Sequence, residues 1–170
     1  IIFLFIYEAK AMNLLDKKNE INEFLEKWEF ISDQVMGGAS TGLMKLIEED
    51  NKKFLRLEGT VSTKNNGGFI QSRSYFNFSK SNYQGIKLKV RGIPSNYYIH
   101  IRTQYTFLPW QYYSSQFVVS EKWNEVIIMF KNFKQSNFYQ PSKFDSSDIE
   151  SIGFVAFGKD FDARLDVLQA

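Results

Sequence analysis

His100 is the only histidine of the chain, and there is no cysteine. These two counts bound most of the acid–base, nucleophilic and metal chemistry open to the protein. Without thiols there is no disulfide, no thiolate metal site and no cysteine nucleophile, a composition that suits a reducing compartment. A zinc site built on nitrogen or sulfur needs more donors than one imidazole. His100 falls on the polar phase of its segment, beside Tyr98 and Arg102, and no G-x-S-x-G run marks a serine for it to activate. The 19 acidic residues contain adjacent carboxylates, but Glu48, Glu49 and Asp50 read as a solvated turn, as do Asp145 and Asp148. Their spacing along the chain says nothing about the separation in space that glycoside hydrolysis requires. The residues point away from an enzyme, with no cofactor or metal expected, and a hydrolase is the least favoured reading.

The residue types suit binding better. The run FLPWQYYSSQF, residues 107–117, places Trp110, Tyr112 and Tyr113 in or near a loop, next to two serines and a glutamine. With Tyr98, His100 and Arg102 they are the candidate binding residues. Aromatic faces bordered by amides and hydroxyls suit sugar rings. The same inventory suits a protein interface, and a third reading has these aromatics filling the core, as expected of Tyr97. If the segments 86–91 and 97–102 pair, Lys87, Lys89, Arg91, Tyr98, His100 and Arg102 form one basic, aromatic face. Lysines and arginines exceed acids by only two, 21 against 19, too close a balance to argue for nucleic acid.

Two further runs are rich in glycine: SDQVMGGAS at 32–40 and NNGGFIQSR at 65–73. Neither carries a phosphate-loop lysine ahead of a helix pattern. Loops of small residues can approach each other closely, and Asp33 and Asn65 or Asn66 can then bond the opposing backbone. Arg73 could pair with Asp33 if they meet. The expectation is a mutual brace at one edge of the fold.

The elements that must position these residues are read from periodicity. Residues 13–28 carry one helical stripe, Leu14, Leu15, Ile21, Phe24, Leu25 and Trp28. From about residue 42 the period becomes two. Strands are expected at 54–61, 68–72, 86–91, 97–102, 116–120, 125–130, 152–157 and 163–168, separated by Gly, Asn and Pro turn signals. Aromatic residues make up 17% of the chain and favour strands. Eight or nine short strands with almost no helix predict an all-β jelly-roll sandwich preceded by one N-terminal helix. A structural calcium would suit such a fold, but no loop has a diagnostic spacing. The chain divides into residues 1–11, a helix at 12–27 and one sandwich domain at 28–170. The apolar start IIFLFIY is too short for a membrane-spanning helix. It reads as a signal-peptide stub, as translated sequence upstream of Met12, or as an edge strand.

Taken in order, the motifs carry a family resemblance. Trp28 is followed by Asp33-Gln34-Val35-Met36-Gly37-Gly38-Ala39-Ser40, by Glu58-Gly59-Thr60-Val61-Ser62, and by Asn65-Asn66-Gly67-Gly68-Phe69-Ile70-Gln71-Ser72-Arg73. Tyr83-Gln84-Gly85-Ile86, Leu88–Gly92, Tyr97–Arg102, Trp123 and Ile152-Gly153-Phe154 follow. This series, over about residues 28–170, resembles the complex I intermediate-associated protein 30 family. The resemblance implies a galactose-binding-like jelly roll related to carbohydrate-binding modules, and an assembly or chaperone-type factor that holds a protein partner, respiratory-complex subunits among the possibilities. Asp33, Met36, Gly37, Gly38, Ser40, Asn65, Asn66, Gly67, Gly68, Phe69 and Arg73 form its structural motif. The chain departs from the family pattern at its front, where the helical stripe replaces a short strand leading to Trp28. A carbohydrate-binding role is the alternative. A bacterial cytoplasmic location is the first expectation, with a mitochondrial or exported protein as alternatives.

Overall fold

The computed structural model describes residues 11–15, 26–78 and 82–170. Eleven strands dominate them: β1 Trp28–Ser32, β2 Thr41–Glu49, β3 Lys52–Val61, β4 Phe69–Tyr75, β5 Gly85–Gly92, β6 Ser95–Thr103, β7 Tyr113–Val119, β8 Asn124–Met129, β9 Lys134–Gln135, β10 Ile149–Phe157 and β11 Phe161–Gln169. They form a six-stranded sheet in the order β1-β4-β10-β6-β7-β9 and a five-stranded sheet in the order β2-β3-β11-β5-β8. The pairing is antiparallel in both. This is a jelly-roll β-sandwich.

The period-two pattern is what builds it. In β5, Ile86, Leu88 and Val90 are buried while Lys87 points to water, and in β6 Tyr97, Ile99 and Ile101 are buried between the sheets. Leu55 and Leu57 of β3 and Leu165 and Val167 of β11 fill the core from the facing sheet. The strand β10 reads almost continuously apolar because it is central and covered on both faces. Tyr97 also carries a polar tip across the core. Its hydroxyl accepts the Arg164 amide on the opposite sheet and lies 3.2 Å from the carbonyls of Ile93 and Arg164. Burial pushes that phenol up to about 12.

The structure corrects three sequence readings. Trp28 does not close a helix but opens β1, stacked on Phe154 at 5.3 Å and edge-on to Phe76 at 6.1 Å. Residues 11–15 are not helical, and the Leu14 amide donates instead to the Ala170 carbonyl. Residues 16–25, the body of the expected helix, and residues 1–10 lie outside the described residues. The third correction concerns β5 and β6, which belong to different sheets. Lys87, Lys89 and Arg91 therefore face away from Tyr98, His100 and Arg102, and no joint basic patch exists. The short β5–β6 turn carries the chain from one layer to the other, which alternation within each strand could not reveal. Among the described residues no helix is long and apolar enough to cross a membrane.

Candidate functional site

The two glycine runs meet at one edge of the sandwich. The first links β1 to β2 and the second links β3 to β4, so both are crossovers between the sheets rather than hairpins. Asp33 is buried at their junction. Its carboxylate accepts the Ser40 hydroxyl (2.5 Å) and the amides of Ser40 (2.9 Å), Gly68 and Phe69 (3.3 Å). Ser40 Oγ in turn accepts the Ser62 amide at 2.9 Å, and Asn65 Nδ2 donates to the Gly37 carbonyl at 3.2 Å. Burial raises the Asp33 pKa, but the Ser40 hydroxyl and the three amides outweigh it and hold the carboxyl below its ordinary value.

Two of the glycines are demanded by this carboxylate. A Cβ at Gly38 would lie 2.3 Å from Asp33 Cγ, and one at Gly67 would lie 2.4 Å from Asp33 Oδ2. Asn65 and Asn66 both take left-handed backbone, with φ of 57°, a conformation that asparagine tolerates. Met36 is outside the junction and exposed. Arg73 does not reach Asp33. It sits on the outer face of β4 in register with Glu29 and pairs with that carboxylate at 2.8 Å.

The outer face of the six-stranded sheet gathers a second set. Along its middle, the strand β10 carries only Ser151, Gly153 and Val155 there, all buried, with Phe157 at its end. Gln71, Arg73 and Tyr75 of β4 stand on one side and Tyr98, His100 and Arg102 of β6 on the other. Side chains of β4 and β6 rise on either side of this lower row and cover it from solvent, a shallow trough filled by its own walls. A Cβ at Gly153 would come within 3.0 Å of Gln71 Oε1, so the Gln71 amide lies over the floor opposite His100. Tyr112 stacks on the imidazole, with ring centroids 4.0 Å apart and planes 13° from parallel. Phe157 meets His100 edge-on at 5.6 Å and Tyr98 at 5.7 Å, closing that end of the row. Ser114 and Gln116 of β7 continue the face beyond His100 and Tyr98. His100 Nε2 is buried without a hydrogen-bond partner, and burial lowers the imidazole pKa to about 3.

At the same end as Arg102, two loops form an apolar platform. Arg102 donates to the carbonyls of Thr106 (2.8 Å) and Pro109 (3.1 Å), so it organises residues 104–112 and is not a free cation. Ser136 accepts the Tyr112 amide and donates to the Trp110 carbonyl, and Gln140 Nε2 donates to the Tyr112 carbonyl. On this tied backbone Phe107, Trp110, Phe138 and Tyr139 are 83%, 57%, 77% and 78% exposed. Tyr113, expected at the surface, is instead buried, with its hydroxyl donating to the Pro141 carbonyl at 2.8 Å. It begins β7 on the inward phase, one residue after Tyr112. A cavity of about 500 Å³ lies elsewhere, lined by Met12, Leu14, Phe78, Tyr83, Phe130 and Ile152 among others, and none of the candidate binding or glycine-run residues lines it. Among the described residues no three His, Asp or Glu side chains converge as a metal-ligand set.

The sequence description of complex I intermediate-associated protein 30 covers residues 16–167. The chain belongs to that family. No curated protein sequence matches it. Among solved structures, this family member is similar to a family 11 carbohydrate-binding module from Clostridium thermocellum in complex with a β-1,3-1,4-mixed-linked tetrasaccharide. The two share 15% identity over 89% of this chain and 91% of that one, with a TM-score of 0.68. The family 11 module of the cellulosomal cellulase Lic26A-Cel5E from the same organism gives 15% identity, 94% of each chain and a TM-score of 0.66. An exo-β-agarase matches 94% of this chain with only 25% of its own, at 8% identity and a TM-score of 0.59. At these identities the likeness is one of fold.

The structure thus brings together Asp33, Gly38, Ser40, Gly67, Gly68 and Phe69 at one place and Tyr98, His100 and Tyr112 at another. Trp110 stands apart from both, on the platform. Gln71, Gly153 and Phe157 were missed as surface-lining residues. The outward phases of 69–75 and 151–157 contain them, and the signal was a strand of small outward residues, readable only once its neighbours were known.

Proposed function

We propose that this chain is a non-catalytic binding domain that holds a carbohydrate chain along the outer face of its six-stranded sheet. The observation that carries this reading is the trough over β10. The rings of Tyr98, Tyr112 and Phe157 lie beside Gln71, Ser114 and Gln116, whose side chains make no hydrogen bond within the described residues. Rings that offer flat apolar faces, interspersed with unused amides and hydroxyls, meet both demands of a sugar: an apolar C–H face and a rim of hydroxyls. The fold shared with carbohydrate-binding modules supports the reading. The test is migration of the purified chain through gels containing mixed-linked β-glucan, xylan, agarose or starch. Retardation by one polymer, lost in the Tyr98→Ala/Tyr112→Ala variant and kept in Trp110→Ala/Phe138→Ala, is the expected result. Unchanged migration in all four overturns it.

A second reading is an assembly factor that holds a protein partner, in keeping with the family's description. The exposed platform of Phe107, Trp110, Phe138 and Tyr139 favours it, because exposed apolar patches on ordered backbone mark interaction surfaces. Here the same two variants exchange roles. Co-purification of respiratory-complex subunits with the tagged chain, lost in Trp110→Ala/Phe138→Ala and kept in Tyr98→Ala/Tyr112→Ala, is the expected result. The two readings use different surfaces, so both are separable in one preparation.

A further inference from the structure

We propose that His100 is the hydrogen-bonding floor of a subsite for one uncharged, hydroxyl-bearing sugar ring, and that Tyr112 is its displaceable cover. This deepens the carbohydrate reading and rests on it. The starting point is the buried Nε2 without a partner. Such an atom is costly to a folded protein, and a ligand that bonds it recovers that loss. Access to it is controlled by three rings, Tyr98, Tyr112 and Phe157. Of these, Tyr112 is the one that can leave. It lies just before β7 begins, its hydroxyl makes no hydrogen bond within the described residues, and its backbone is held independently through Ser136 and Gln140. A rotation of its side chain alone therefore opens the imidazole, and the displaced ring is placed to stack on the apolar face of whatever enters.

The chemical class of the ligand follows from the surroundings. Every ring touching His100 is uncharged. The cations nearest on this face, Arg73 and Arg102, are already engaged by Glu29 and by the Thr106 and Pro109 carbonyls, so a carboxylate or ammonium entering there would be desolvated without a dedicated counter-ion. A hydroxyl also fits either neutral tautomer of the imidazole, since it donates to a bare nitrogen and accepts from a protonated one. The facing Gln71 amide, above Gly153, supplies a further donor and acceptor for the same ring. The neighbour Ser114, in register with His100 across β7, supplies another hydroxyl.

The test uses the full chain and a panel of trisaccharides: cellotriose, laminaritriose, xylotriose and maltotriose as uncharged probes, with trigalacturonic acid as the charged one. Because the chain has a single histidine, its imidazole nitrogens give one unambiguous set of nuclear magnetic resonance signals. An uncharged trisaccharide that binds should move the His100 Nε2 signal, and His100→Phe should weaken its binding about tenfold while trigalacturonic acid leaves the signal in place. If an uncharged trisaccharide binds while the Nε2 signal stays put, or if His100→Phe binds as well as the parent, the subsite is wrong and the outer-face reading stands. If none of the uncharged probes binds, both fall. The nuclear resonance measurement on the unsubstituted chain decides the matter even if the variant does not fold.

Discussion

The Asp33 carboxylate accepts four hydrogen bonds from two stretches of chain, Ser40 and Gly68-Phe69, and three of the donors are backbone amides at the junction of two crossovers. Removing it leaves buried amides unmet. Asp33→Ala should lower the unfolding free energy by about 3 kcal/mol or more, since each stranded buried donor costs roughly 1–3 kcal/mol. Asp33→Asn should cost less, because its carbonyl oxygen still accepts. Denaturant melts of the three proteins at neutral pH check this, and an Asp33→Ala protein as stable as the parent would remove the brace. His100 shows the opposite economy, a polar atom left unmet on the outer face. Ser72 Oγ and Ser95 Oγ are buried without partners as well, but only the imidazole is ringed by aromatic side chains on the outer face, and natural folds satisfy nearly all buried polar groups.

At the scale of the element, the crossovers have little room for side chains. Gly67→Val would drive a branched group onto the Asp33 carboxylate and the Gly38 Cα, whereas at Gly37 nothing stands within 4 Å and the difficulty is its left-handed φ of 85°. Gly67→Val should therefore lower the melting temperature well beyond Gly37→Val, which carries a backbone strain on the order of 1–3 kcal/mol. Thermal melts of the two decide it, and equal losses would mean that space at the junction is not the constraint. On the outer face of the five-stranded sheet another local cluster is already complete. Asp166 of β11 takes Arg56 through both oxygens (2.6 and 2.8 Å) and Arg91 at 3.0 Å. Arg91 also pairs with Glu49 and lies over the Trp123 ring. With each charge answered, that face has no obvious appetite for a ligand, in contrast to the trough over β10.

For the whole molecule, the depressed pKa values of His100 and Asp33 shape the response to acid, joined at the surface by Asp160, which the Thr63 amide and hydroxyl hold low. An imidazole brought from 6.5 in the unfolded chain to about 3 in the fold makes the unfolded state bind the extra proton in between. Its contribution to stability is complete above pH 6.5 and is lost as pH falls towards 3. Asp33 adds a second loss: its contribution is complete above the ordinary value of 3.8 and disappears as pH falls through its lower folded value. Stability of the parent should therefore decline steadily from pH 6.5 downwards. His100→Phe should flatten the curve between pH 6.5 and 4, and Asp33→Asn only below about pH 4. Denaturant midpoints at half-unit pH intervals test this. An unchanged slope in His100→Phe would mean that the imidazole is not held neutral by the fold.

The division between what was readable in the residues and what needed three dimensions follows from the range of the forces involved. Alternation in 86–91 and 97–102, turn signals between strands, and the paired glycine runs were enough for an all-β sandwich and for two loops that meet. Those signals are local, imposed by the pleat on neighbouring residues. Trp28 reads as the last position of a helical stripe because a lone apolar residue fits that stripe as well as it fits the buried start of a strand. Which sheet each strand joins was decided only by tertiary packing: that separated Lys87 from His100, turned Tyr113 inward and Tyr112 outward, and gave Arg73 to Glu29 instead of Asp33. The trough itself is of this second kind. Gln71, His100 and Gly153 come from three strands far apart in sequence, and only the core-burying order β4-β10-β6 places small residues between large ones.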